Sequence, residues 1–206
     1  MPGKIPRLYS YQRDAIRAML RLKARGLLAL QMGTGKTRVA IESISRLRSA
    51  RRILVVVPLS AAPIWRREVH KWAPEARTVT ATRGSIKLRA LKIKHLLQRT
   101  HKRRIYFIVG YESYWREPLR RWILKWEPDV IIYDEAHRLK SRGARQSTFA
   151  HSMASKGNKI HTPRYILALT GTPMPNGAQD AFSIFKALNP DIFGSRYIDF
   201  EDRYIV

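Results

Sequence analysis

A glycine-rich loop that follows a short apolar run constrains the fold of this chain most strongly. The loop extends from Gln31 to Thr37 (QMGTGKT), and the apolar run before it extends from Leu27 to Leu30. Glycines let backbone N–H groups approach phosphate oxygens at the start of a helix, where the helix dipole also favours an anion. The segment therefore predicts a strand, a phosphate-binding loop and a helix in succession.

A second chemical motif, Asp134 to His137 (DEAH), follows another apolar run about 100 residues later. Two adjacent carboxylates at a strand end repel each other unless a cation lies nearby, so their placement suggests a metal site. We expect the loop and the acid pair to lie at adjacent strand ends of one sheet. Each motif alone is a modest signal, but the two together make ATP hydrolysis the leading hypothesis.

The loop residues have distinct predicted roles. Backbone N–H groups would face the phosphates, Lys36 would reach the β- and γ-phosphates, and the Thr37 hydroxyl would ligate Mg²⁺. The predicted nucleotide-binding residues of this segment are Gly33, Thr34, Gly35, Lys36, Thr37 and Arg38. Arg38 lies at the start of the helix that follows the loop, so it is poorly aimed to supply further positive charge to the reaction. The full P-loop pattern has a glycine where this chain has Leu30, which argues against small nucleotide kinases and GTPases more than against ATP.

The two carboxylates have separate predicted roles. Asp134 is placed to hold Mg²⁺ through water, and Glu135 is the candidate base that orients the attacking water. We therefore predict Lys36, Asp134 and Glu135 as the catalytic residues, with Thr37 and Asp134 as the metal-binding residues.

Apolar runs alternate with amphipathic segments along the chain, which predicts strands separated by helices. The predicted strands are 27–30, 53–57, 78–82, 105–109, 130–133 and 165–169. Helices are expected between them, with Ser10 and Ser85 as candidate N-caps and Pro63 in a first turn. Residues 156–163 (KGNKIHTP) are typical of a loop. This order predicts an α/β fold with a mostly parallel central sheet and helices on both faces.

The charge of the chain implies a polyanionic partner. Its 40 Lys and Arg residues against 15 Asp and Glu residues give a formal net charge of +25, and nucleic acid is favoured over an anionic membrane. No acidic residue occurs between Ala76 and Tyr111. The helix after Ser85 is expected to turn Ile86, Ala90, Ile93 and Leu97 inward and its basic residues outward. The predicted nucleic-acid contacts from this stretch are Lys87, Arg89, Lys92, Lys94, Arg103 and Arg104. A generally basic surface is the alternative explanation.

Other compositional features limit the class of protein. The chain has no cysteine, which excludes disulfides and thiolate metal sites. It has no apolar stretch of about 20 residues and no signal-peptide pattern, so we expect an intracellular protein that is neither secreted nor membrane-spanning. Its length suits one domain over residues 1–206.

The order of these motifs resembles the N-terminal RecA-like lobe of superfamily 2 helicases, most of all the Swi/Snf-type DNA translocases. The segments that carry the resemblance are 8–12 (LYSYQ), 31–37, 57–60 (VPLS) with Trp65, 134–140 (DEAHRLK), 169–173 (LTGTP) with Asn176, and 182–190. The likeness covers about residues 8–205. The acidic pair that many members have before the loop is replaced by Leu30 and Gln31.

The resemblance implies further roles. Gln12 would read the adenine base, and Ser60, in the segment that faces the nucleic-acid backbone in the family, would contact that backbone. Thr170 and Thr172 would couple the ATP state to the nucleic-acid track, with His137 as the contact between the two motifs. Duplex DNA would be the track.

Family members also carry a second RecA-like lobe whose arginines complete the site. No room remains for it after Leu188, so we expect residues 1–206 to be a single ATP-binding lobe that is incomplete for hydrolysis. Two alternatives stay open at this point. One is a non-catalytic nucleic-acid-binding module with a relic nucleotide site, and the other is the motor lobe of an RNA helicase or a restriction enzyme.

Overall fold

The apolar runs form one parallel sheet in a computed structural model that describes residues 6–98, 103–155 and 161–205. The strands are β1 Arg25–Ala29, β2 Arg52–Val57, β3 Arg77–Ala81, β4 Ile105–Gly110, β5 Val130–Asp134 and β6 Tyr165–Thr170. Their order across the sheet is β1-β6-β5-β2-β4-β3, and every neighbouring pair is parallel. The α/β fold is confirmed, with a sheet that is parallel throughout the described residues.

Helices cover both faces of this sheet. They are α1 Ser10–Arg21, α2 Lys36–Ser45, α3 Ala62–Trp72, α4 Ile86–Leu97, α5 Leu119–Trp126, α6 Arg145–Ala154, α7 Gln179–Leu188 and α8 Tyr197–Tyr204. Helices α1 to α3 share a core with one face of the sheet, and α4 to α7 share a core with the other. No helix among the described residues is long and apolar enough to cross a membrane.

The central strands are apolar on both sides because both sides are covered. β4 and β5 are buried along their whole length, and β2 is buried from Ile53 to Val57. Parallel strands with helices on both faces have this pattern, whereas a half-exposed strand would alternate apolar and polar residues. All strand carboxyl ends lie at one edge of the sheet, which we call the carboxyl edge, and the opposite edge is the amino edge.

Several local predictions were wrong. Tyr9, not Ser10, is the N-cap of α1, because Ser10 is already helical and Tyr9 before it is extended. The Gln12 side chain accepts the Tyr9 N–H at 3.1 Å. Thr82 lies outside β3. Leu97 is exposed, and Leu96 is buried in its place. In the last turn of α4 it is Leu96 that faces the core. Ser85 caps α4 as expected, with its hydroxyl accepting the Leu88 N–H.

Part of the predicted loop 156–163 lies outside the described residues. Its described part, residues 161–163, belongs to no helix or strand.

Candidate nucleotide-binding site

The glycine loop leaves the carboxyl end of β1 and enters α2 at Lys36. Gly33 and Gly35 both have a φ of 80°, in the left-handed region that favours glycine. A Cβ on Gly33 would meet no heavy atom within 4 Å, so the space beside this residue is open. No side chain caps α2, and the N–H groups of its first turn are therefore available to an anion.

Lys36 is buried and its ammonium is held by the loop itself. Nζ donates to the carbonyl of Leu30 at 3.0 Å and to that of Gln31 at 3.1 Å. These contacts keep the ammonium at the mouth of the loop, where a phosphate oxygen could replace a carbonyl as its acceptor. Thr37 follows in the first helical turn and is half-buried.

Two side chains of α1 hold the outer side of the loop. The Thr34 carbonyl accepts from Nε2 of Gln12 at 3.1 Å and from the Tyr11 hydroxyl at 3.0 Å. Gln12 also explains the glycine at position 35, because a Cβ there would lie 2.7 Å from Nε2 of Gln12. The amide of this predicted base-reading residue therefore contacts Thr34 and Tyr9.

The acid pair stands at the end of β5, and the strand that separates it from the loop is β6. Our expectation of adjacent strand ends was wrong, because β6, the last strand in the sequence, inserts between β1 and β5. The turn after β6 lies close to the phosphate-binding loop. A Cβ on Gly171 would lie 3.6 Å from the Leu30 carbonyl oxygen, so this turn packs against the start of the loop.

Asp134 is buried and held at two atoms. Its Oδ2 accepts a hydrogen bond from Nε1 of Trp65 at 2.8 Å, and its main-chain carbonyl accepts one from the Tyr111 hydroxyl at 2.9 Å. Burial raises the pKa of the Asp134 carboxyl above its ordinary value, while the indole N–H and the charge of Lys36 act against that rise. The Asp134 carboxylate is therefore a buried ionisable group that senses the charge of the loop lysine.

The next residue, Glu135, has a φ of 53°, a left-handed conformation that is strained for a residue with a side chain and that clusters at functional sites. Its carboxylate is half-buried, and Oε2 lies 3.3 Å from Nδ1 of His137. The same nitrogen lies 3.2 Å from Oγ1 of Thr170 and 3.5 Å from Oγ1 of Thr172. The structure thus brings the three predicted coupling residues together beside the predicted base.

The donors at this edge suit Mg²⁺ held jointly with phosphates. Among the described residues, no three His, Cys, Asp or Glu side chains form a group that could hold a metal. Mg²⁺ usually keeps several waters and binds through one or two carboxylates together with substrate phosphates. Asp134 and the Thr37 hydroxyl are donors of that kind, so the residues present fit Mg-ATP better than a metal ion alone.

A family model described as the SNF2-related domain matches residues 11–206. The chain belongs to this family. The "ISWI chromatin-remodeling complex ATPase ISW2" of Saccharomyces cerevisiae is 32% identical in an alignment 198 residues long that covers 93% of this chain and 16% of that protein. The "DNA annealing helicase and endonuclease ZRANB3" of Mus musculus is 30% identical in an alignment 211 residues long, gaps included, that covers 99% of this chain and 18% of that protein.

A solved structure supports the same family. The Sulfolobus solfataricus SWI2/SNF2 ATPase core in complex with dsDNA matches with a TM-score of 0.75 and 26% identity, over 99% of this chain and 40% of that one. This SNF2-related domain therefore spans about one sixth of the curated relatives named above and less than half of the solved ATPase core.

Arg38 of the SNF2-related domain does not belong with the loop. Its guanidinium donates to the main-chain carbonyls of Pro6 and Arg7 and lies 3.9 Å from the centre of the Trp72 ring. The described contacts thus give Arg38 a packing role between α2, α3 and the segment before α1, in place of the nucleotide contact that we predicted.

Arg104 was also assigned wrongly. Its guanidinium donates to the carbonyls of Ala50, Ser45 and Leu47, each at 3.0 or 3.1 Å. It therefore ties the segment before β2 to the start of β4. A count of charges could not find this role, because the acceptors are main-chain atoms more than 50 positions away.

The other predicted nucleic-acid contacts of the SNF2-related domain are spread over two edges. Ser60 is exposed at the carboxyl edge, and Lys87 is exposed in the first turn of α4. Arg89 donates to the Gly84 carbonyl, and Lys92 donates to the Thr80 carbonyl on the outermost strand. Lys94 lies over the Trp122 ring. Arg103 is exposed next to Arg104 at the amino edge.

A basic groove between α3 and β3 was missed at the level of the sequence. It encloses about 1110 Å³, and its lining includes Arg66, Arg67, Arg83 and Lys92. The two α3 arginines directly follow Trp65. They were missed because they lie outside the acid-free stretch from which the candidate contacts were taken. The groove begins at Leu59, beside the exposed Ser60, so it extends the basic surface from the carboxyl edge down the side of the domain.

Proposed function

We propose that this SNF2-related domain is the ATP-binding lobe of a DNA-dependent ATPase and translocase of the Swi/Snf type. The observation that carries the proposal is the carboxyl edge. There a phosphate loop on β1 and a carboxylate pair on β5 flank Thr170, the last residue of β6. Phosphoryl transfer needs this combination of anion-binding N–H groups, a lysine, a metal-binding carboxylate and a base for water.

Each residue has one task in this proposal. The loop N–H groups and Lys36 bind the phosphates, while Thr37 and Asp134 hold Mg²⁺, which supplies positive charge to the β- and γ-phosphates when bound. Glu135 accepts a proton from the attacking water. His137 joins Glu135 to Thr170 and Thr172, and we propose that this contact transmits the state of the nucleotide to the nucleic-acid surface.

Duplex DNA is the proposed partner. The formal charge of +25 favours a polyanion, and the solved relative with dsDNA is the support for choosing a DNA duplex. Binding is expected to be directed at phosphates, because lysines and arginines supply a sequence-independent attraction. The proposed contact surface runs from Ser60 along the first two turns of α4 and the basic groove.

We also propose that the lobe alone hydrolyses little ATP. Arginines that complete related sites are worth roughly 10³–10⁵ in rate, which is about 4–7 kcal/mol of activation free energy. Arg38 cannot supply this charge, because its guanidinium is engaged by Pro6, Arg7 and Trp72. The resemblance to the family assigns the arginines that complete the site to a second RecA-like lobe.

Calorimetric titration with ATP in the presence of Mg²⁺ tests the nucleotide site. Lys36→Ala should lower the affinity about 10- to 100-fold, because a charge-assisted hydrogen bond to phosphate is lost. Glu135→Gln is the matched control at the same edge, and it should keep the affinity because it leaves every proposed phosphate contact in place. Equal affinity of the wild type and Lys36→Ala would show that the loop is not the nucleotide site.

A further inference from the structure

Trp65 has a contact that its place in the sequence does not suggest. The segment 57–60 with Trp65 was expected to face a nucleic-acid backbone, yet Trp65 is fully buried. Its ring packs in the core that α1, α2 and α3 share with the sheet. The only polar atom of its side chain, Nε1, donates to Oδ2 of Asp134 at 2.8 Å.

This hydrogen bond acts on the group proposed to hold the metal. An aspartate carboxylate turns freely about its last bond unless a donor fixes one oxygen, since that torsion has no sharp preference. The indole N–H fixes Oδ2 from the side of α3, and fixing one oxygen also sets the direction in which the other, Oδ1, points. The backbone N–H of Glu135 adds a second hydrogen bond to the same carboxylate. The Tyr111 hydroxyl holds the main-chain carbonyl of the same residue, so the backbone of Asp134 is held independently of its carboxylate.

The position of Trp65 is set by the segment at the carboxyl edge. A turn of 3₁₀ helix from Leu59 to Ala61 runs directly into α3 at Ala62, and Trp65 lies in the first turn of that helix. On its other side, the same helix presents Arg66 and Arg67 to the basic groove. One helix therefore connects the exposed residues after β2 to the carboxylate at the end of β5.

We infer that Trp65 is a positioning residue for the metal site: it fixes the Asp134 carboxylate in the orientation that binds Mg²⁺. The inference rests on the proposed function, since it concerns the same carboxylate. Some hydrogen-bond donors orient a metal ligand without contacting the metal. Removing such a donor typically lowers the metal affinity 10- to 100-fold. Trp65 is placed to have this effect without touching nucleotide or metal.

The test compares two buried tryptophans in the 206-residue chain. Trp65→Phe removes the N–H donor and keeps an aromatic ring, while Trp126→Phe makes the same change in a buried residue on the other face of the sheet. ATP binding is measured by calorimetry at a series of Mg²⁺ concentrations and in EDTA. Mg²⁺ is expected to increase the affinity for ATP, and Trp65→Phe should raise the Mg²⁺ concentration that gives half of this increase about 10-fold. The affinity for ATP in EDTA should stay unchanged.

The outcomes separate this inference from the proposed function. Trp126→Phe should keep the wild-type Mg²⁺ dependence, because it loses packing but no contact with Asp134. The inference is overturned if Trp65→Phe also keeps that dependence, or if both variants shift it equally. A wild-type chain that binds ATP with no response to Mg²⁺ would instead overturn the metal part of the proposed function.

A second measurement uses the wild-type protein, so it does not depend on whether a variant folds. In wild-type protein labelled with ¹⁵N at the indole nitrogens, Mn²⁺ with ATP should broaden one indole N–H signal far more than the rest. That signal is expected because Trp65 is the tryptophan bonded to the metal-holding carboxylate, and paramagnetic broadening falls steeply with distance. Equal broadening of all indole signals would overturn the inference, whereas broadening of none would overturn the metal part of the proposed function.

Discussion

The two edges of the sheet use charged residues in opposite ways. At the amino edge, arginines serve the fold: Arg25 donates to the carbonyls of Pro163 and Leu188, and Arg104 donates to three carbonyls near β2. At the carboxyl edge, Lys36 donates to two carbonyls of its own loop, and the acid pair contacts the side chains of Trp65 and His137. The space beside Gly33 of the loop is open. The comparison teaches that charge alone does not identify function: the carbonyls that accept from Arg25 and Arg104 belong to distant segments of the chain, whereas those that accept from Lys36 belong to its own loop.

The largest expected difference between the two edges is in how much an arginine contributes to stability. Arg104→Ala should lower the free energy of unfolding by about 3 kcal/mol, because three carbonyls lose a charged donor in a partly buried place. Arg83→Ala, an exposed change at the carboxyl edge, should stay within about 0.5 kcal/mol. Urea denaturation of both variants checks this. Equal losses would show that the two edges do not differ in the way that we describe.

A smaller effect is expected on DNA binding. Lys87→Gln, Arg89→Gln and Lys92→Gln together lower the formal charge from +25 to +22, and they lie in the first two turns of α4. This triple variant should weaken binding to all duplex sequences and reduce the log–log salt slope by about 2–3. Fluorescence anisotropy at several salt concentrations measures both quantities.

The matched control for that experiment removes the same charge at the amino edge. Arg21, Arg48 and Arg164 are exposed and lie near the amino ends of β1, β2 and β6. Changing these three to Gln should leave the salt slope close to the wild-type value. If the two triple variants weakened binding equally, the attraction would come from net charge alone, and no defined contact surface would exist.

The comparison also explains what the sequence could predict. The loop and the acid pair were placed correctly at the carboxyl edge, because each follows an apolar strand and carries its pattern within a few residues. The alternation of strands and helices likewise sufficed for the α/β fold. Strand order was not accessible, and the insertion of β6 between β1 and β5 was missed, since short motifs carry no information on which strands become neighbours.

Contacts between distant positions account for the remaining errors. Trp65 and Asp134 are 69 positions apart, and no local pattern distinguishes this tryptophan from one that only packs. Arg104 and Arg38 were counted with binding residues because their charge was visible, whereas their main-chain acceptors were not. The meeting of His137 with Thr170 was expected only from the resemblance to the helicase family, and not from the residues alone.

The central claim is that this chain carries an ATP site that needs a second lobe for turnover. The most direct measurement is steady-state phosphate release by the 206-residue chain at saturating Mg-ATP and duplex DNA. We predict turnover far below about one per second, the low end of ordinary enzymes, and an increase when a separate C-terminal lobe is added. Turnover of several per second by the monomer alone would contradict the claim.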